Sequence, residues 1–137
     1  MDTIKLLEMA IYKEIAAFDF YREVEERVQN PAGRKIFRDL KEEEHKHRQI
    51  LEGWFRKESG QVFQLVPSKE ELLFHFPEKF VLNQSTALEA LSVGIQSEKD
   101  SVNFYSSWMK QTEDPELKKM LKELSLFEER HYLRLQK

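Results

Sequence analysis

Apolar residues recur along four stretches of the chain at alternating steps of three and four residues, the spacing of one face of an α-helix. The first two stretches cover about residues 2–29 and about residues 32–58. The third begins after residue 86, and the fourth begins at residue 115 and continues to the end of the sequence. The pattern therefore predicts an all-α chain of four helices.

Each apolar stripe is interrupted by an acid at a position where a core leucine is expected. In chain order the stripes are Leu7, Ile11, Glu14, Phe18, Tyr21, Glu25 and Val28; Phe37, Leu40, Glu44, His47, Leu51 and Trp54; Leu88, Leu91, Ile95, Glu98, Val102, Tyr105 and Met109; and Leu117, Leu121, Leu124, Glu128, His131 and Leu135. An unpaired buried carboxylate costs several kcal/mol. Interruptions on all four helices therefore indicate a polar site inside the protein.

The second half of the chain repeats the first. Residues 11–52 align with residues 95–136 at a constant offset of 84, with ten identities in 42 positions. The identical pairs are Ile11 and Ile95, Glu14 and Glu98, Phe20 and Phe104, Tyr21 and Tyr105, Pro31 and Pro115, Lys35 and Lys119, Leu40 and Leu124, Glu44 and Glu128, His47 and His131, and Leu51 and Leu135. A duplicated helix pair that keeps its ionisable residues indicates a site with two similar halves.

The connections between the helices predict the topology. Short segments around residues 30–33 and 114–116 contain proline and end one helix before opening the next, so each repeat is a helix hairpin. A segment of roughly 25 residues, 59–83, joins the hairpins, and we expect a short helix at 69–74 within it. Thr86 with Glu89 forms a potential capping box for the third helix. Two hairpins and one long crossover predict a ferritin-like antiparallel four-helix bundle.

Length and composition fit a single domain over residues 1–137, with repeats at about 2–58 and 84–137. The net charge of −3 comes from an even mix of signs, which argues against a nucleic-acid or membrane partner. No apolar run reaches the length of a transmembrane helix, and the N-terminus does not resemble a signal peptide. The chain has no cysteine, which excludes thiolate metal sites within it. We therefore expect a cytoplasmic protein.

The interrupting residues match the ligand set of a dinuclear carboxylate site: two lone glutamates and two Glu-x-x-His pairs. The predicted metal ligands are Glu14, Glu44, His47, Glu98, Glu128 and His131. The i, i+3 spacing places each Glu and His on one helix face, so that the Glu can bridge two metals while the His caps one. Four carboxylates balance two divalent ions, and oxygen and imidazole donors suit iron or manganese.

Simpler interpretations apply to some of these residues. One Glu-x-x-His pair in a glutamate-rich helix is usually a solvated face, and the phase of the stripe turns the second pair, Glu42 and His45, outward. Tyr21 and Tyr105 lie two turns after Glu14 and Glu98. They are either core aromatics or hydroxyl groups near the metals. For His75, in the crossover, we expect surface or cap packing. We expect Trp54, Trp108 and the ten phenylalanines to lie in the core.

The motifs Glu14 with Tyr21, Leu40-x-x-x-Glu44-x-x-His47, Glu98 with Tyr105, and Leu124-x-x-x-Glu128-x-x-His131 resemble the rubrerythrin family of ferritin-like proteins over nearly the whole chain. The resemblance implies two iron ions, with manganese or a mixed pair as alternatives. It also implies reduction of hydrogen peroxide or dioxygen, a role in oxidative stress and an external electron donor.

Two departures from the family pattern stand out. Rubrerythrins proper carry a four-cysteine rubredoxin-like centre that is absent here, so a separate rubredoxin-like protein would supply electrons. They also carry an extra glutamate one turn after the lone glutamate of the third helix, where this chain has Ser101. That change weakens the case for peroxidase activity.

Three functions stay open: a peroxide- or dioxygen-reducing di-iron oxidoreductase, a ferroxidase that buffers or stores iron, and a structural or sensing module held together by metal. We also expect a homodimer, with apolar surface offered by the Trp54–Phe55 end of the second helix and by the crossover.

Overall fold

The computed structural model describes residues 3–65 and 87–135, and in those ranges every regular element is an α-helix. The helices are α1 (Thr3–Arg27), α2 (Pro31–Ser59), α3 (Ala87–Gln111) and α4 (Pro115–Leu135). Within these ranges, every helix end predicted from the sequence agrees with the structure to within two residues. The predicted crossover helix, the capping box at Thr86 and the surroundings of His75 lie outside the described residues.

The two short turns share one capping device, 84 residues apart. Asn30 Oδ1 accepts hydrogen bonds from the backbone N–H groups of Ala32, at 2.9 Å, and Gly33, at 3.4 Å. Asp114 Oδ1 accepts them from Glu116, at 3.0 Å, and Leu117, at 3.3 Å. A proline follows each cap at the first helical position, where its missing N–H is not needed. Both hairpin turns are therefore set by an Asx–Pro pair.

The described residues fall into two compact units, the first hairpin with α1 and α2 and the second hairpin with α3 and α4. In the first hairpin α1 packs along α2. Gly60 caps the C-terminus of α2. Its φ of 73° lies in the left-handed region that glycine adopts without strain, and its N–H donates a hydrogen bond to Arg56 O at 2.8 Å. No helix in the described ranges has the length and hydropathy needed to cross a bilayer.

Helix α1 is buried on more of its circumference than its single stripe predicts. Tyr12, Ile15 and Ala16 lie off the stripe and are buried. The segment after α2 accounts for part of this burial, since the Phe63 ring lies 5.4 Å from the ring of Tyr12 and 5.6 Å from that of Phe55. The additional buried face of α1 thus depends on contacts with residues distant in sequence.

The buried face of α3 is rotated slightly from the prediction. Among residues 92–111, the part of α3 whose burial the structure describes, the buried residues are Gly94, Glu98, Ser101, Tyr105 and Trp108. Of the stripe positions described, Glu98 and Tyr105 are buried as predicted, whereas Ile95, Val102 and Met109 are only half-buried.

The expectation that every tryptophan and phenylalanine is core was also wrong. Trp54 is half-buried, and 40% of Phe127 is exposed. The exposure of Phe127 follows from the phase of α4, because Phe127 lies outside the apolar stripe and is turned away from the buried face.

Glu25 is an acid on the stripe of α1 that does not belong to the predicted metal site. Its Oε2 lies 2.9 Å from Lys41 Nζ and its Oε1 3.2 Å from Arg38 Nε, both on α2. The pKa of Glu25 is lowered mainly because the Lys41 ammonium bonds its carboxylate, with Arg38 adding to the effect and burial partly opposing it. Glu25 therefore stabilises the first hairpin as an ion pair.

We expect Glu25→Gln to lower the free energy of unfolding by about 1 kcal/mol at pH 7, as for a partly buried ion pair. Because the pKa is lowered on folding, this stabilisation is present above the ordinary value of 4.5 and is lost as pH falls through the folded-state value. Urea unfolding of both proteins at pH 7 and pH 3 measures the difference. The exposed neighbour offers the control Glu26→Gln, and a Glu25→Gln deficit that is equal at both pH values contradicts the prediction.

Candidate metal centre

The first hairpin brings together three of the predicted ligands. Helix α1 carries Glu14, and α2 carries Glu44 and His47 one turn apart on its buried face. Both glutamates are fully buried, and His47 is 3% exposed. His47 Nδ1 lies 3.8 Å from Glu14 Oε2 and 3.7 Å from Glu44 Oε2. We call this set the first half-site.

The second hairpin repeats this arrangement with the equivalent residues. Glu98 on α3 and Glu128 and His131 on α4 are all buried, with at most 1% of any of them exposed. His131 Nδ1 lies 3.5 Å from Glu98 Oε2 and 3.6 Å from Glu128 Oε2. This second half-site matches the first to within a few tenths of an ångström, as the repeat of 84 residues predicts.

Each half-site has the geometry of ligands that share an ion. The Nδ1–Oε2 separations of 3.5–3.8 Å are longer than an ordinary N–H···O hydrogen bond. Two donors bound at about 2.1 Å to one ion, at angles of about 90–120°, lie about 3.0–3.6 Å apart. The second half-site, at 3.5 and 3.6 Å, falls within this range, and the first, at 3.7 and 3.8 Å, lies just above it. In each half-site the three residues offer donor atoms within 4.8 Å of one another. Two carboxylates and one neutral imidazole also balance the charge of one divalent cation, so the residues fit a metal.

A second Glu-x-x-His pair on α2 provides an internal comparison. Glu42 and His45 have the spacing of Glu44 and His47, but both are exposed, as the phase of the stripe predicts. The spacing alone therefore does not define a metal site, and burial beside a third carboxylate separates the two pairs.

Tyr21 and Tyr105 are both fully buried. The Tyr21 ring lies 5.6 Å from that of Phe20 and 6.0 Å from that of Phe37, while the Tyr105 ring lies 5.4 Å from that of Phe104. These contacts bear out the core interpretation of the two rings, and the proposed role of their hydroxyl groups stays a prediction.

Two further buried polar groups lie near the half-sites in sequence. Ser101, at the position of the extra family glutamate, is fully buried, and its Oγ donates a hydrogen bond to Ser97 O at 2.9 Å. Lys13, next to Glu14, is only 5% exposed. The burial of Lys13 was not predicted, because the residue lies off the stripe of α1 and its partner in the repeat is Ser97.

Two all-α hairpins, each with a buried cluster of two carboxylates and an imidazole, define a helical protein with a candidate metal site. The family model of Rubrerythrin matches residues 5–137, and the chain belongs to that family. The match includes both half-sites and confirms the resemblance drawn from the sequence motifs. No curated protein matches the chain in sequence.

Three solved structures share the fold. A hypothetical protein from Pyrococcus furiosus is 22% identical, with a TM-score of 0.79 over 99% of this chain and 87% of that one. CopM in an Ag-bound form is 13% identical, with a TM-score of 0.75 over 99% and 93% of the two chains. CopM in a Cu(I)-bound form is 15% identical, with a TM-score of 0.73 over 99% and 94%. The predicted all-α four-helix bundle is confirmed by these likenesses.

Proposed function

We propose that the two half-sites act as one dinuclear iron site and that the protein is an oxidoreductase that reduces hydrogen peroxide or dioxygen. The observation that carries the proposal is the repeated buried cluster of two glutamates and one histidine. Four buried carboxylates in a single domain are costly unless cations neutralise them, and two divalent ions do so. Membership of the Rubrerythrin family supports iron as the metal.

The donor chemistry supports iron or manganese over a softer ion. The six proposed ligands offer only carboxylate oxygen and imidazole nitrogen, which suit iron and manganese, whereas Cu(I) prefers sulfur donors. CopM, which shares the fold, is described in Ag- and Cu(I)-bound forms. For this chain we propose two iron ions, with manganese or a mixed pair as alternatives.

The proposed roles of the residues follow from their positions in the repeat. Glu14 and Glu98 would each hold one metal, Glu44 and Glu128 would be shared between the two metals, and His47 and His131 would each bind one of them. Two ferrous ions supply two electrons to the oxidant when bound. The buried residues around the metals would leave coordination positions open for the oxidant and keep bulk water away from them. The buried Tyr21 and Tyr105 are proposed to place hydroxyl groups beside the bound oxidant.

Electrons to renew the site come in this proposal from a separate protein, since the chain has no cysteine to hold a redox centre of its own. A rubredoxin-like partner has the required chemistry. With Ser101 at this position we expect only modest peroxidase activity. The Ser101 hydroxyl donates a hydrogen bond to Ser97 O on its own helix and cannot replace a carboxylate ligand.

The test is to load the anaerobic protein with Fe(II), count iron per chain, and follow its oxidation by absorbance in stopped flow. We expect two irons per chain and oxidation at least tenfold faster with hydrogen peroxide than with an equal concentration of dioxygen. Faster oxidation by dioxygen would instead favour the ferroxidase interpretation. Iron that binds but reacts with neither oxidant would favour the structural or sensing module.

A further inference from the structure

A line of buried residues on α3 leads away from the second half-site. These residues recur at steps of three and four and so share one helix face: Glu98, Ser101, Tyr105 and Trp108. None of the four is more than 2% exposed. Tyr105 lies about two turns along the helix from Glu98, and Trp108 lies about 15 Å along it. The face therefore runs from a proposed metal ligand to a tryptophan close to the end of α3.

Ring contacts link the two side chains of this face that can be oxidised. The ring of Phe104 lies 5.4 Å from that of Tyr105 and 6.0 Å from that of Trp108, edge to face in both cases. Tyrosine and tryptophan can each lose one electron, whereas phenylalanine is much harder to oxidise. Continuous aromatic contact therefore joins two one-electron donors, Tyr105 and Trp108, inside the second hairpin.

The internal repeat shows that this aromatic chain is specific to the second hairpin. Residues 84 positions earlier keep the tyrosine and its neighbour, as Tyr21 and Phe20, whose rings lie 5.6 Å apart. At the position of Trp108 the first hairpin has Val24, which is fully buried. A small apolar side chain that cannot be oxidised therefore suffices for packing at the equivalent position.

Packing alone does not account for the Trp108 indole. Among the described residues, its buried Nε1–H has no hydrogen-bond acceptor. A buried donor without a partner costs free energy, and such a group in a native protein calls for an explanation, a redox role among them. Phenylalanine would bring an aromatic ring to this position without that cost. Tryptophan at position 108 therefore favours a role for the indole beyond its size, and ready loss of an electron is the property that phenylalanine and valine lack.

We propose that Tyr105 and Trp108 each supply one electron when dioxygen is reduced at the iron site, an inference that rests on the proposed function. Reduction of dioxygen to two water molecules takes four electrons and four protons. Two electrons come from the two ferrous ions. One comes from Tyr105, which also releases its phenolic proton, and one from Trp108, which keeps its N–H proton because the described residues offer it no acceptor. Solvent supplies the other three protons.

The two side chains act only when the oxidant needs more than two electrons. Hydrogen peroxide needs two electrons, so its reduction leaves Tyr105 and Trp108 unchanged. With two electrons alone, the reduction of dioxygen stops at hydrogen peroxide. The extra electrons therefore let one iron pair reduce dioxygen to water without releasing peroxide. The external electron donor afterwards returns one electron to each side chain.

The other tryptophan of the chain provides an internal control. Trp54 lies ten residues after Glu44. Trp108 has the same separation from Glu98 on α3. Trp54 is half-buried, and the Lys57 ammonium lies 4.7 Å from the centre of its ring, where a positive charge opposes the loss of an electron. Trp54 is therefore more accessible than Trp108 to a diffusing oxidant but less suited to supply an electron to the site.

The first experiment identifies which tryptophan is oxidised. The Fe(II)-loaded protein reacts with dioxygen, or in parallel with an equal amount of hydrogen peroxide, without an electron donor. Peptide mapping by mass spectrometry then measures the oxygen added to each indole. We expect dioxygen to modify Trp108 at least about fivefold more than Trp54, and at least about fivefold more than hydrogen peroxide does. Preferential modification of Trp54 overturns the proposal, because a diffusing oxidant would produce that pattern.

A pair of variants separates electron supply by Trp108 from its packing. Trp108→Phe keeps an aromatic ring that cannot supply the electron, whereas Trp108→Tyr keeps one that can. With limiting dioxygen, we expect the wild type to oxidise about two Fe(II) per dioxygen. We expect Trp108→Phe to oxidise about four, because the peroxide that it releases oxidises a second ferrous pair. Its organic radical, followed by electron paramagnetic resonance after rapid freezing, is at least about fivefold weaker than that of the wild type.

The remaining variants decide between the two roles. We expect Trp108→Tyr to return the Fe(II) to dioxygen ratio to about two, and the control Trp54→Phe to leave it unchanged. Equal ratios in the wild type and Trp108→Phe overturn the proposal, and so do equal changes in Trp108→Phe and Trp108→Tyr. If Fe(II) is still oxidised in those cases, the proposed function stands and only the role of Trp108 fails. Fe(II) that reacts with neither oxidant overturns both.

Discussion

We expect replacement of Glu44 by Gln, or of His47 by Ala, to weaken metal binding at the first half-site at least about 100-fold. Loss of a group that only supports a ligand typically costs 10–100-fold in metal affinity, so loss of a ligand costs at least as much. Glu128→Gln and His131→Ala have the same effect at the second half-site, because the two clusters have the same residues and nearly the same distances. Competition titration with a coloured chelator measures both affinities.

The matched control for this prediction is the exposed pair on the same helix. Glu42→Gln with His45→Ala removes the same two donor types at the same spacing, and both residues are exposed. This variant binds metal as the wild type does. Equal losses in the Glu42–His45 and Glu44–His47 variants would show that metal binds the surface of α2, and the buried clusters would then need another explanation.

The combined variant Glu44→Gln with Glu128→Gln, compared with its two single variants, distinguishes one dinuclear centre from two mononuclear sites. If the half-sites act together through bridging glutamates, each single substitution weakens both ions and the double variant binds neither. If each half-site holds its ion alone, each single substitution removes one ion and leaves the other at wild-type affinity. Metal counts on the three variants distinguish a dinuclear centre from two mononuclear ones.

The burial and clustering of the six proposed ligands could be predicted because these residues obey local periodicity. Glu44 and His47 are one turn apart on a stripe whose phase is fixed by Leu40 and Leu51, both fully buried. Glu14 and Glu98 could be matched to them because the repeat preserves their distance along the chain. A residue type that interrupts four stripes at equivalent positions is visible without any knowledge of tertiary contacts.

The features that the sequence did not predict depend on contacts between distant segments. Burial of Lys13 and Tyr12 on an additional side of α1 follows no periodic pattern, and Tyr12 is covered by Phe63, which is distant in sequence. The role of Glu25 is similar, since periodicity placed an acid on the stripe but could not supply its partners Arg38 and Lys41. Local patterns fix which face of a helix is buried, and only the packed chain determines how wide that face is.

If the buried clusters hold metal as proposed, we expect its removal to lower the melting temperature by roughly 10 °C or more. A ligand that binds only the folded state at 100 times its dissociation constant stabilises it by about 2.7 kcal/mol, and two such ions contribute about twice that. For a chain of this size 1 kcal/mol corresponds to about 3–5 °C. The metal-free protein also keeps two buried carboxylates beside each other in each half-site, which adds repulsion. Differential scanning calorimetry of the chelator-treated and Fe(II)-loaded protein, without oxygen, measures the difference.

A variant with apolar residues at the six proposed ligand positions tests whether uncompensated buried charge causes the lower melting temperature without metal. Glu14→Leu, Glu44→Leu, Glu98→Leu and Glu128→Leu with His47→Leu and His131→Leu replaces each cluster by side chains that need no cation. Buried charges replaced by well-packed apolar groups are often neutral or stabilising. The variant should therefore melt above the metal-free wild type and show no response to Fe(II). If the wild type itself melts at the same temperature with and without metal, the carboxylates are compensated by the protein alone, and the argument from charge for a dinuclear centre fails.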